Sequence, residues 1–173
     1  IEVWSGYAVL VVGSEGNRKV VQGPDVYLLE YDEKLGHLSL STGKPKTTDK
    51  LLKTAYLQVT NNQVGDIVPF ESVDHVKGTI KISLRVSFEG ETDEEKLRWF
   101  SVENYVKYLC DRVRSVLAGM GKRHTIADIK SNYINLVRDA VLGERGENGR
   151  PGLFFPDNGM RVTEVEVLDL KLQ

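Results

Sequence analysis

Between Thr79 and Phe88 the chain alternates without a break: Ile80, Ile82, Leu84, Val86 and Phe88 are apolar, while Lys81, Ser83, Arg85 and Ser87 are polar. Successive strand side chains point to opposite faces, so this run makes a sheet with one apolar face and one wet face. Parallel sheets are covered on both sides and read as continuous apolar runs. Alternation therefore predicts an antiparallel sheet covered on one side only. Such a sheet needs an amphipathic partner.

That partner follows at once. From Trp99 to Gly121, the residues Val102, Tyr105, Val106, Leu109, Val113, Val116, Leu117 and Met120 fall on one stripe of an α-helix. Glu103, Asn104, Lys107, Asp111, Arg112, Arg114 and Ser115 take the opposite face, which is expected to meet solvent or a neighbouring chain. Ser101 is placed to cap the helix, Gly119 and Gly121 to stop it, and the acidic run Glu91–Glu95 leads into it. A helix of this length needs a surface for its stripe. Sheet and helix answer each other, which predicts segregated α+β architecture: an antiparallel sheet with helices packed on one face.

The rest of the chain fits around this pair. Residues 1–45 read as a small antiparallel β module with strands at Tyr7–Val12, Arg18–Gln22, Val26–Tyr31 and Leu38–Ser41, separated by Gly- and Pro-rich turns. A module this small has a thin core and is expected to lean on a neighbour. The basic stretch Lys44–Lys53 reads as a solvated linker, placing a boundary between residues 1–47 and 48–173. Leu51–Val59 is predicted as a strand, and Val64–Val76, interrupted by Pro69, as an edge strand. Thr125 caps a short helix to about Lys130, a second helix carries Ile134 to Val141, and Gly143 ends it. Glu144–Gly152 is a surface loop. Met160–Leu172 returns to strand, with an apolar phase shift between Val167 and Leu168 that predicts a bulge.

No catalytic, cofactor or metal site emerges. His37, His75 and His124 are scattered and lack a second ligand at metal spacing. Residues 41–47, Ser-Thr-Gly-Lys-Pro-Lys-Thr, fail as a phosphate loop: Gly36 lies seven residues before Gly43 instead of five, and Pro45 stands where a magnesium-binding hydroxyl is needed. Asp93, Glu94 and Glu95 are adjacent, suited to a helix start and not to an acid/base pair. The lone Cys110 reads as a packed thiol and, with no disulfide partner, favours a reducing compartment. With a net charge of −2, nothing pulls the chain towards nucleic acid or anionic membrane. The chain opens at Ile1 inside strand-like sequence, which suggests a piece of a longer protein.

Four stretches carry a resemblance: GPDVYLLEYDE (23–33), LSLSTGKPKTTD (40–49), WFSVENYVKYLCDRVRSVL (99–117) and RPGLFFPDNGM (150–160). In these the sequence resembles the major vault protein family, whose members build the shell of the vault ribonucleoprotein. The resemblance implies that residues 1–47 are the last of a series of tandem β repeats. Residues 48–173 would then be a shoulder domain similar to the stomatin/prohibitin/flotillin (SPFH, band-7) core. It implies a non-enzymatic structural role in which many copies stand side by side and close a hollow shell. Neighbouring copies are the expected partners, with other vault proteins and RNA in the full particle. The expected location is cytoplasmic, with the nucleus as a second site. The SPFH likeness adds an alternative, a lipid-associated scaffold or protein-interaction module, for which Lys44–Lys53 and Leu153-Phe154-Phe155 are the candidate contact surfaces.

Overall fold

The computed structural model describes all 173 residues, Ile1–Gln173. Turn residues cut the first sixty into short strands: β1 (Glu2–Val3), β2 (Tyr7–Gly13), β3 (Arg18–Gln22), β4 (Asp25–Val26), β5 (Glu33–Leu35), β6 (Leu38–Ser41), β7 (Leu51–Thr54) and β8 (Leu57–Gln58). β2 is the hub, pairing antiparallel with β3, β5 and β8. β1 pairs with β4, and β6 with β7 in a hairpin that spans residues 47 and 48.

Two strand expectations need correction here. Val26–Tyr31 is strand only to Val26. The Glu33 carboxylate accepts from the Tyr27 hydroxyl (2.7 Å) and the Glu30 amide (2.9 Å), closing a turn where extended backbone was predicted. Leu51–Val59 is two strands, β7 and β8. The Thr54 hydroxyl accepts from the Tyr56 amide (3.1 Å), and the Tyr56 ring stacks on Trp4 at 5.9 Å, so the chain turns between them.

The second sheet is built from β9 (Asn62–Glu71), β10 (Lys77–Phe88), β11 (Leu153–Phe155) and β12 (Met160–Leu172), in the order β11-β12-β10-β9, all antiparallel. Every apolar residue of the alternating run Ile80–Phe88 is buried. β12 carries two bulges against β10. Lys81 pairs with Asp169 and Ile82 with Val167, leaving Leu168 out, as the phase shift predicted. Arg85 pairs with Glu164 and Val86 with Val162, leaving Thr163 out.

Two helices, α2 (Tyr105–Gly121) and α3 (Ile126–Leu142), cover one face, and a short helix before them, α1 (Asp93–Arg98), packs against β3 of the N-terminal module. The single helix expected from Trp99 is therefore shorter, and Ser101 does not cap it. Trp99 is fully buried and its indole N–H donates to the Glu89 carbonyl at 3.0 Å, which pins the chain between α1 and α2. The Ser101 hydroxyl donates to the carbonyls of Arg98 (2.7 Å) and Asp157 (3.0 Å), and Asn104 is the cap, its side-chain oxygen accepting from the Lys107 amide. Thr125 caps α3 as expected, accepting from the Asp128 amide. Asn132, with φ −131° and ψ 16°, splits α3 into the two predicted pieces.

The stripe of α2 is core: Tyr105, Val106, Leu109, Val113, Leu117 and Met120 are buried. The main hydrophobic cluster runs from these residues and the sheet through to Ala8, Leu38, Leu57 and Val59. Only Val3, Val9, Val11 and Val21 form a separate buried group in the N-terminal module. Four valines are too little to stand alone, so the module shares the larger core.

Candidate functional site

The alternation of β9 puts Val64, Asp66, Val68 and Phe70 on the helix-covered side. An acid in that row would be costly unless paired. Its partner comes from α2: Arg114 Nε donates to Asp66 Oδ2 at 3.1 Å and Nη2 to Asp66 Oδ1 at 3.0 Å, a two-pronged contact. The Asp66 side chain is 1% exposed and that of Arg114 28%. The bonds to Asp66 hold the Arg114 guanidinium above its ordinary value. Asp66 Oδ1 also accepts from the amides of Ile67 (2.9 Å) and Lys46 (3.0 Å), and Arg114 Nη2 donates to the Lys46 carbonyl (3.0 Å). Arg114 thus belongs to an internal polar knot and not to the solvent face predicted for it. Beside the knot, burial pushes the Cys110 thiol up to about 12, with the Asp66 charge adding to it.

The knot changes the reading of Lys44–Lys53, expected as a free linker. Its last residues, Leu51–Lys53, belong to β7, and its start is tied to the sheet through Lys46. The Lys44 side chain lies across Gly65, where a Cβ would come within 2.6 Å of Lys44 Cε. Three residues before the stretch, Ser41 is held by Asn104, whose side chain accepts from the Ser41 amide (3.0 Å) and donates to the Ser41 hydroxyl (2.9 Å). Asn104 had also been placed facing solvent.

Both long edges of the second sheet are guarded. On β9, Pro69 offers no amide, and Asp66 covers the Ile67 amide. On β12, β11 pairs only with Met160–Val162 and leaves the outer edge open from Thr163 onward. There Glu164 accepts from the Val165 amide (3.1 Å), Arg138 donates to the Val165 carbonyl (3.3 Å), and Asp169 accepts from the Leu170 amide (2.9 Å). The face turned away from the helices carries Lys77, Lys81 and Lys171 towards one end, and Arg85 and Glu166 towards the other. The exposed face of α2 offers the Lys107–Asp111 pair (2.6 Å). The most exposed large apolar side chains lie in the N-terminal module, where Leu28 is 82% exposed and Tyr31 is completely so.

The residues weighed for chemistry do not converge. His37 and His75 are exposed, and His75 lies 3.6 Å from Glu71; His124 is half-buried and its carbonyl accepts from the Val73 amide. No group of three histidine, cysteine, aspartate or glutamate side chains is placed to hold a metal ion. Asp93, Glu94 and Glu95 form the first turn of α1, capped by Thr92. Of the aromatic pair, Phe155 is core, whereas Phe154 is 41% exposed with the Arg161 guanidinium 4.6 Å above its ring. The Asp66–Arg114 pair went unrecognised in the sequence. Its signal was there: one carboxylate at an inward position of an alternating strand, and an arginine beside the stripe of the covering helix.

This sheet-and-helix unit coincides with a known family. A family model described as the MVP shoulder domain matches residues 60–173, from just before β9 to the end of β12. The chain belongs to the major vault protein shoulder family. Curated relatives agree over a longer span. The major vault protein of Gallus gallus is 32% identical over 155 residues, 88% of this chain, and that of Diplobatis ommata 30% over 158 residues, 89% of this chain. The Homo sapiens protein is 28% identical over 167 residues, again 88% of this chain. The chain spans 18–19% of the length of these relatives. The likeness therefore covers the shoulder and most of the N-terminal module.

Proposed function

We propose that this chain is a structural, non-enzymatic part of a major vault protein shell subunit, acting by side-by-side packing of many identical copies. The observation that carries this reading is the shoulder-family match over residues 60–173. The geometry supports it. One sheet face and one helix face are left polar, and the sheet edges are guarded, so neighbours meet through side chains instead of shared strands. Closed symmetry multiplies such modest contacts, and no single interface has to be strong. Residues 1–47 would act as the last β repeat below a shoulder at 48–173, with helices on one face of the sheet as in the SPFH core. The location is cytoplasmic and nuclear, and other vault proteins and RNA join in the complete particle. The lipid-scaffold alternative is weakened at one of its two candidate surfaces, because Phe155 is buried and the Arg161 guanidinium lies over the Phe154 ring.

The test is negative-stain imaging of the longest natural chain that contains these residues. Hollow closed barrels are expected; dispersed particles without closed outlines refute the reading. The 173-residue chain alone should sediment as a monomer or weak self-associator, and a stable, discrete small oligomer would contradict packing by many weak contacts.

A further inference from the structure

We infer that residues Gly43–Lys50 are a strap, closed by Asp66 and Arg114, which locks the angle at which the N-terminal module stands on the shoulder. The loop is self-contained at its neck, where the Thr42 amide and hydroxyl both donate to the Lys50 carbonyl at 3.2 Å. Its grip on the sheet runs through the main chain of one residue. The Lys46 amide donates to Asp66, and the Lys46 carbonyl accepts from Arg114. The two side chains that hold Lys46 also hold each other, so neither half of the clasp is stable without the other. Gly65 leaves room for Lys44 to pass over β9. Just before the neck, the Ser41–Asn104 bonds fix the end of β6 to the start of α2. Module and shoulder already share one hydrophobic core, and these side-chain bonds join them at two further, successive points, which stiffens the elbow between them.

The strap stands on these bonds alone. Its consequence for a shell, a fixed bend in the wall between repeat and shoulder, rests on the function proposed above, and the two can fail separately.

Amide hydrogen exchange on the wild-type chain is the first readout: the Lys46 amide should be protected although it lies in an exposed basic loop. Asp66→Asn should speed its exchange by at least about tenfold, a local opening, while the Ile82 and Leu84 amides in β10 stay protected. Trypsin should then cut first after Lys46 and Lys50. Arg114→Lys keeps the charge but loses the two-pronged fork and should fall between. A Lys46 amide that exchanges freely in the wild type overturns the strap, whatever the variants do. So does an Asp66→Asn chain in which Lys46 stays protected. Imaging the longest natural chain with Asp66→Asn reads the consequence. Closed barrels with a variable shoulder outline are expected, and wild-type outlines despite an opened strap overturn the elbow alone.

Discussion

Replacing Arg114 with methionine removes the guanidinium while keeping most of its aliphatic bulk. Asp66 would remain buried and negatively charged, with only the Lys46 and Ile67 amides for company. Breaking a buried ion pair by deleting one partner costs about 3–5 kcal/mol. The 28% exposure of Arg114 and the two surviving amide donors place the cost at the low end, about 3 kcal/mol. Asp66→Leu should cost a similar amount, because it strands the guanidinium. The double variant should not cost the sum. With both charges gone, an apolar pair fills the space between β9 and α2, and a coupling of about 2 kcal/mol or more is expected. Urea unfolding followed by tryptophan fluorescence suits the measurement, since Trp99 is buried at 1% exposure and Trp4 is exposed at 58%. Midpoints should shift with slopes unchanged. Single-variant costs that simply add would refute the clasp and return Arg114 to the solvent-facing role its helical position suggested.

Leu109→Ala, at the fully buried centre of α2, should cost about 3 kcal/mol and lower the melting temperature by roughly 6–12 °C by calorimetry, while Arg112→Ala on the exposed face changes stability by less than about 0.5 kcal/mol. The Asp74 carboxylate is held below its ordinary value, first by the Ser72 hydroxyl and then by the Ile126 amide at the start of α3. Its contribution is thus present above the ordinary carboxylate range and lost as pH falls through the lowered native value. The gap in urea midpoint between wild type and Asp74→Asn should close on acidification, and a gap independent of pH would show that the charge is not what Asp74 supplies. Cys110, with its thiol pushed up to about 12, should resist a thiol-specific reagent at neutral pH until urea unfolds the chain, and rapid labelling of the native chain would contradict its burial.

The architecture was legible wherever one physical signal dominated. Strict alternation placed Ile80 to Phe88 in the core, the stripe of α2 was buried as its period required, and the phase change at Leu168 marked a bulge. Sequence reasoning failed where a side chain bonded to backbone or to a distant residue. Asn104 displaced Ser101 as cap because Ser101 is bonded to Arg98 and Asp157. Glu33 turned the chain after Val26 through two bonds that no periodicity announces. Arg114 lay beside the stripe by helical position, and only the three-dimensional placement of Asp66 shows that it points inward. The basic stretch looked like a connector because it is rich in lysine and polar residues; what holds it is the main chain of Lys46.

The guarded edges of the second sheet bear on how such a chain survives its own concentration. Identical subunits made close together present identical strands to one another, the setting in which open edges fuse into irreversible aggregates. With Pro69 and Asp66 on β9, and Glu164, Arg138 and Asp169 on β12, several of the outer main-chain groups are occupied or absent before another chain arrives. A chance neighbour would then gain only side-chain contacts at those positions and could let go.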